Sequence, residues 1–128
     1  MARGARAKVL VIEDEESIRE FMRQALESVH DVMLAANGAE GLTRAEREKP
    51  DLILLDLRMP GLDGLSVLSR LKAHQKTSGI PVVIVSGQGD TDALLEGQRA
   101  GAIDHIIKPF RVEDLYAVVQ RQLSFFGK

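Results

Sequence analysis

Five residues of this sequence have types suited to chemistry and share one kind of address. Glu13 and Asp14 follow the apolar run Val9-Leu10-Val11-Ile12, and Asp56 follows Leu52-Ile53-Leu54-Leu55. Ser86 follows Pro81-Val82-Val83-Ile84-Val85, and Lys108 follows the segment Ile103 to Ile107. Three carboxylates brought together repel one another and resist leaving water, so such a cluster needs a cation or a proton. Oxygen donors without His or Cys among them favour a hard ion. A site offering one or two direct carboxylates, waters and a phosphate suits magnesium, with manganese as an alternative. That ion would polarise phosphoryl oxygens as a Lewis acid, leaving Ser86 and Lys108 to hold the oxygens still free. Taken singly, an acid at a strand end is more often a cap or loop residue than a ligand. Independent capping gives no reason, however, for complementary charges to meet at four strand ends.

The elements that must bring these residues together are legible from periodicity. The all-apolar runs at Val9 to Ile12, Leu52 to Leu55 and Pro81 to Val85 read as strands buried on both faces, and Asp31 to Ala35 and Ile103 to Ile107 as two more. From Glu15 onward, Ile18, Phe21, Met22, Ala25, Leu26 and Val29 recur at helical spacing and are expected to face inward. Asn37-Gly38 is a turn signal before a helix from Ala39 to Glu48, which Lys49-Pro50 stops. Leu65, Leu68 and Leu71 mark a third helix. A fourth runs from about Asp92 to Ala100 with Asp90 or Thr91 as its cap, and a fifth from about Val112 to Ser124. Five strand-helix units in succession predict a doubly wound α/β fold with a parallel sheet, right-handed crossovers and helices on both faces. Ligands of such sheets bind outside the carboxyl ends of the strands, where all five residues stand.

With 128 residues the chain suits one domain. Its 45% hydrophobic and 28% charged residues are those of a globular protein and argue against disorder. Residues 8–124 are expected to form that domain, with a disordered lead-in over 1–7 and a tail over 125–128. Cysteine is absent, which removes disulfides and thiolate chemistry and suits a reducing compartment, so the expected location is cytoplasmic. No apolar run approaches the roughly 20 residues of a membrane span. A net charge of −2 supplies no basic field for nucleic acid, and direct binding to it is not expected.

At four segments the sequence resembles the receiver domain of bacterial two-component response regulators. They are Val9 to Glu15 (VLVIEDE), Pro50 to Gly64 (PDLILLDLRMPGLDG), Pro81 to Gly87 (PVVIVSG) and Gly101 to Phe110 (GAIDHIIKPF), and the resemblance runs from about Lys8 to Leu123. It implies a flavodoxin-like sheet of order 2-1-3-4-5. It also implies that Asp56 is the phosphoacceptor, attacking a phosphohistidine on a sensor histidine kinase or phosphotransfer protein. Asp14 would bind the metal directly and Glu13 through water, with a carboxylate oxygen of Asp56 and the backbone carbonyl of Arg58 completing the set. Ser86 would hydrogen-bond the phosphoryl group, Lys108 would pair with it, and the Lys108-Pro109 peptide would be cis. Glu13 stands where Asp is more frequent, which keeps the charge on a longer side chain. His105 occupies the switch position in the fifth strand, where Tyr or Phe is usual. Arg58 and Gln88, two residues past the phosphoacceptor and the hydroxyl, would tune the lifetime of the acyl phosphate.

Phosphorylation would then switch the face made by the fourth helix, fifth strand and fifth helix. The reader of that switch would be a downstream protein or a fused output domain, and a phosphorylation-dependent dimer is a further expected outcome. The chain reads as either a free-standing receiver or one cut from a longer regulator or hybrid kinase. Three rivals fit less well. A flavodoxin-like cofactor binder lacks its Gly/Ser/Thr-rich loop after strand one, where Glu13-Asp14-Glu15-Glu16 would repel a phosphate. A magnesium phosphatase lacks its second acid, since Arg58 stands there. A degenerate receiver signalling by contacts alone would not require every site residue to be present.

Overall fold

The computed structural model describes residues 6–125. Five strands and five helices alternate: β1 (Lys8–Ile12), α1 (Glu16–Leu26), β2 (Asp31–Ala35), α2 (Gly38–Glu48), β3 (Leu52–Asp56), α3 (Gly64–Ala73), β4 (Val82–Gly87), α4 (Thr91–Arg99), β5 (Asp104–Lys108) and α5 (Val112–Phe125). All neighbours in the sheet are parallel, and the order is β2-β1-β3-β4-β5. This is the expected doubly wound, flavodoxin-like arrangement.

Alternation along each strand splits the core in two, because successive side chains leave a strand on opposite faces. Val9, Val11, Leu52, Leu54, Val83 and Val85 pack on one face against Met22, Ala25 and Leu26 of α1 and Leu115, Val118, Val119 and Leu123 of α5. Leu10, Ile12, Ile53, Leu55, Val82 and Ile84 pack on the other against Ala45 of α2 and Val67, Leu68 and Leu71 of α3. A strand covered on both sides must be apolar throughout, which is why β3 reads LILL before its acid. Each fully buried Leu, Ile or Val contributes about 1.5–3 kcal/mol relative to exposure.

The helices begin and end by local chemistry. Asn37 caps α2 by accepting from the Glu40 N–H at 2.8 Å, while the Glu40 carboxylate accepts from Ala36 N–H at 2.8 Å. Asp63 caps α3 by accepting from Ser66 N–H at 2.9 Å. Lys49 adopts φ 50, a left-handed closure that ends α2 where Lys49-Pro50 predicted a stop.

Several expectations need correction. α1 ends at Leu26, and Val29 lies beyond it, 48% exposed. Phe21 is 40% exposed, its ring tilted against that of Phe110 with centroids 5.9 Å apart. Only the first follows from the turn after α1, which carries Val29 and whose carbonyls are taken by a guanidinium: Arg6 donates to the carbonyls of Glu27, Ser28 and His30 and to Asp31 Oδ1. Arg6 and Ala7 were expected in a disordered lead-in, yet Arg6 is bound by these contacts and Ala7 is buried in the core. The rest of that lead-in, residues 1–5, lies outside the described residues, as does all of the expected tail after Phe125. β5 starts one residue later than expected, at Asp104, and β4 extends through Gly87. Among the described residues, no helix is long and apolar enough to cross a membrane.

Candidate functional site

Strand register sets the acids side by side. Ile12 of β1 pairs with Leu55 of β3, so the next residues, Glu13 and Asp56, leave adjacent strand ends together at the point where the strand order reverses. Asp56 is level with Val85 of β4, the residue before Ser86, and Gly87 is level with Lys108 of β5. The sheet thus delivers Glu13, Asp14, Asp56, Ser86 and Lys108 to one edge, as their positions in the sequence predicted.

The carboxylates of Glu13, Asp14 and Asp56 offer oxygens within 4.8 Å of one another. Glu13 and Asp56 are almost wholly buried, at 1% and 2% exposure, whereas Asp14 is half-buried. Lys108 Nζ lies 3.3 Å from both Glu13 Oε1 and Asp56 Oδ1. Its contact with Glu13 Oε1 is an ion pair without hydrogen-bond geometry, and among the described residues that oxygen has no other partner. Glu13 Oε2 accepts from the Glu15 N–H at 3.1 Å, and Asp56 Oδ1 accepts weakly from the Arg58 N–H at 3.4 Å. The Ser86 hydroxyl is fully buried and has no hydrogen-bond partner among the described residues.

One ammonium does not neutralise three acids. Burial first, and then the charge of Asp56, push the Glu13 carboxyl up to about 7. Burial also raises Asp56, against the pull of Lys108. Burial alone would lower the Lys108 pKa, but the Asp56 and Glu13 carboxylates outweigh it and the net shift is upward. A buried hydroxyl without a partner, a carboxylate oxygen without a hydrogen bond and an oxygen-only donor set are what a hard divalent cation and a phosphoryl group would satisfy. The residues present fit such an ion.

The contacts of three residues at the site were not legible in the sequence. Arg19 of α1 donates to the carbonyls of Glu13 at 2.8 Å and Asp14 at 3.1 Å, fixing the acidic loop. In the sequence it was only one charge on a helix's polar face. Gly64 opens α3 against the backbone of Asp56: a Cβ there would lie 2.4 Å from the Asp56 carbonyl oxygen and 2.5 Å from Leu57 Cα. Its place in the Pro60-Gly61…Gly64 loop was a signal for a turn, without showing this contact. Asp90, expected with Thr91 as a candidate cap of α4, does stand at its N-cap, but its side chain accepts instead from the Gly87 N–H at 3.1 Å and pairs with the Arg58 guanidinium.

The remaining predicted residues sit at the rim. The Arg58 side chain is 73% exposed and paired with Asp90. Gln88 is exposed in the loop between Gly87 and Gly89. His105 is half-buried and level with Ile84, on the sheet face that α4 covers. Among the described residues its imidazole has no hydrogen-bond or ion-pair partner. The Lys108-Pro109 peptide is cis, as the resemblance implied.

Comparison with known proteins agrees with this geometry. The family model described as "Response regulator receiver domain" matches residues 9–120. Sporulation initiation phosphotransferase F of Bacillus subtilis is 32% identical over 117 residues, covering 91% of this chain and 93% of that protein. The probable transcriptional regulator ycf27 of Porphyridium aerugineum is 39% identical over 122 residues, but the chain spans only 50% of its length. The crystal structure of a putative response regulator from Chloroflexus aurantiacus superposes with a TM-score of 0.88 at 30% identity, over 94% of this chain and 99% of that one. A family match over most of the sequence, a sheet in the matching order and an acidic cluster at its switch point lead to one conclusion: this chain belongs to the response regulator receiver domain family.

Proposed function

We propose that Asp56 accepts a phosphoryl group from a phosphohistidine on a histidine kinase or phosphotransfer protein, and that this modification switches the α4-β5-α5 face. As a receiver domain the chain is a phosphoacceptor signalling module and not an enzyme in its own right. The observation that carries the reading is the placement of the buried Asp56 carboxylate beside Lys108, two further acids and an unpartnered Ser86 hydroxyl.

In the proposed transfer an Asp56 carboxylate oxygen attacks phosphorus and the P–N bond to the histidine breaks. The electron pair of that bond stays on the imidazole, which leaves and takes up a proton. Asp14 and Asp56 would hold a magnesium ion directly, Glu13 would act through water and the Arg58 carbonyl would complete the set; manganese is an alternative. When bound, the ion supplies positive charge to the phosphoryl oxygens. Lys108 pairs with one of those oxygens, and Ser86 donates its hydroxyl to another.

The new group carries about −1.5 to −2 charge. It draws Ser86 and Lys108 toward Asp56, and His105, on the strand beside Ser86, is the residue proposed to report the change to α4 and α5. Arg58 and Gln88 at the rim are proposed to tune the lifetime. The name of the Bacillus subtilis relative describes a phosphotransferase, and phosphotransfer is the role proposed here for this domain. The output is a downstream protein, a fused domain or a phosphorylation-dependent dimer.

The test is incubation with acetyl phosphate, with and without magnesium, on wild type and Asp56→Asn, read by intact mass. The expected result is a metal-dependent gain of one phosphoryl group that the variant lacks. A wild type that gains none would favour a receiver that signals by contacts alone.

A further inference from the structure

Asp90 has no place in the chemistry above, yet its carboxylate bridges the two loops that flank Asp56. It stands at the N-cap of α4 with φ −88 and ψ 36, and its side chain makes no bond to the first turn of that helix. Oδ2 instead accepts from the Gly87 N–H at 3.1 Å, next to Ser86, while Oδ1 pairs with the guanidinium of Arg58. The two partners differ in freedom, since the Asp90 side chain is 9% exposed and that of Arg58 is 73% exposed. The carboxylate is anchored, and the guanidinium is the part able to leave.

We propose that Asp90 is a positioning residue that shortens the life of the phosphorylated state by holding Arg58 away from the phosphoryl group. The inference rests on Asp56 as the phosphoacceptor. The Arg58 N–H already reaches Asp56 Oδ1 at 3.4 Å, so its side chain starts at the edge of the site. A phosphoryl group there is a second anion suited to a planar guanidinium, which pairs with phosphoryl oxygens through two donors at once. Arg58 therefore chooses between Asp90 and the phosphoryl group. In hydrolysis a water adds to phosphorus and the bond to the Asp56 oxygen breaks, returning its electron pair to the carboxylate and releasing orthophosphate. Arg58 lying on the phosphoryl oxygens screens that water's approach, and Arg58 lying on Asp90 leaves the approach open. Removing the charge of Asp90 releases Arg58 to the screening position.

The test follows loss of phosphoryl label from protein charged with acetyl phosphate and magnesium, in wild type, Asp90→Asn, Arg58→Ala and the double variant. Asp90→Asn keeps an oxygen for the Gly87 N–H and removes only the charge. It is expected to hold the label about two- to fivefold longer, the range set by the strength of one exposed ion pair. In the Arg58→Ala background the same change has no effect, and Asp90→Glu, which keeps the charge, returns the lifetime toward wild type. The ¹⁵N resonance of Arg58 Nε should also move further on adding beryllofluoride to Asp90→Asn than to wild type. Equal lifetimes in wild type and Asp90→Asn, or the same lengthening without Arg58, would overturn the inference while leaving Asp56 as phosphoacceptor. A wild type that takes no label removes both.

Discussion

Lys108 Nζ lies 3.3 Å from Asp56 Oδ1 and the same distance from Glu13 Oε1, so one ammonium serves two buried acids that would otherwise repel each other. A divalent cation at the same cluster does similar electrostatic work, and the two cations oppose one another. Lys108→Met is therefore expected to bind magnesium several-fold more tightly than wild type, measured by calorimetric titration. The same variant is expected to lose phosphorylation by acetyl phosphate at least about tenfold, as one charge-assisted hydrogen bond to the phosphoryl group is lost. Unchanged magnesium affinity would show that Lys108 and the ion do not share the cluster.

The raised pKa of Glu13 makes stability depend on pH in a stated direction. Its folded value of about 7 lies above the ordinary 4.5, so between these values the folded state keeps a proton that the unfolded state has lost. Stability is then highest below the unfolded value and falls as pH rises toward 7. The size of this contribution is on the order of 3 kcal/mol. Asp56, raised by burial, acts in the same sense. His30 acts oppositely, because burial lowers its pKa and its contribution is lost as pH falls. The Glu13 part is isolated by comparing urea denaturation of wild type and Glu13→Gln in chelator from pH 5 to 8. Wild type should lose stability relative to the variant across that range, and magnesium should restore it at pH 7.5. Parallel curves for the two proteins would refute the assignment.

Gly64 allows the loop after β3 to fold back on the phosphoacceptor. The atoms that a Cβ would strike, the Asp56 carbonyl oxygen and Leu57 Cα, are backbone and cannot swing aside. Gly64→Ala should cost about 1–3 kcal/mol and slow phosphorylation by displacing Asp56. Gly79→Ala is the matched control, since a Cβ there meets nothing within 4 Å. It should stay within about 0.5 kcal/mol of wild type. Equal stabilities for the two variants, in the same denaturation experiment, would count against the close approach.

The contrast between Gly64 and Asp56 shows what was legible in the sequence. Asp56 closes an all-apolar run, and a both-faces-buried strand that stops at an acid is a pattern visible in one dimension. Strand order and the meeting of Glu13, Asp14, Ser86 and Lys108 follow from that pattern and from the resemblance together. The contacts of Arg6, Arg19 and Asp90 do not, because each joins a side chain to backbone or charge on another loop or helix end, and hydropathy carries no trace of it. Asp90 carried a signal that was only half right: an Asp before a helical run predicts a cap and Asp90 does hold the N-cap position, but the nearby Gly87 N–H and the Arg58 guanidinium claim its oxygens. Phe21 failed for a related reason. Its helical spacing was right, but it lies at the edge of the apolar stripe, where Phe110 covers only part of the ring.

His105 is level with Ile84 in the parallel register of β4 and β5, so both side chains leave the sheet on the face beneath α4. α4 approaches that face closely at Gly97, where a Cβ would lie 2.2 Å from Ile84 Cδ1. Ile84 is fully buried and has little room to turn aside. In an open helix position Gly→Ala would stabilise by roughly 0.8–1 kcal/mol through backbone entropy. Here the clash opposes that gain, and Gly97→Ala is expected to destabilise by about 1 kcal/mol or more. Lifting α4 from the sheet also changes the surroundings of the imidazole, so the His105 ring resonances should shift in the variant while those of His30, buried near Ala7 on the far side of the sheet, stay in place. Urea denaturation and histidine ring NMR spectra of the two proteins check both parts. A variant more stable than wild type, with unmoved His105 signals, would mean that α4 is not seated through Gly97 and that His105 does not sense its position.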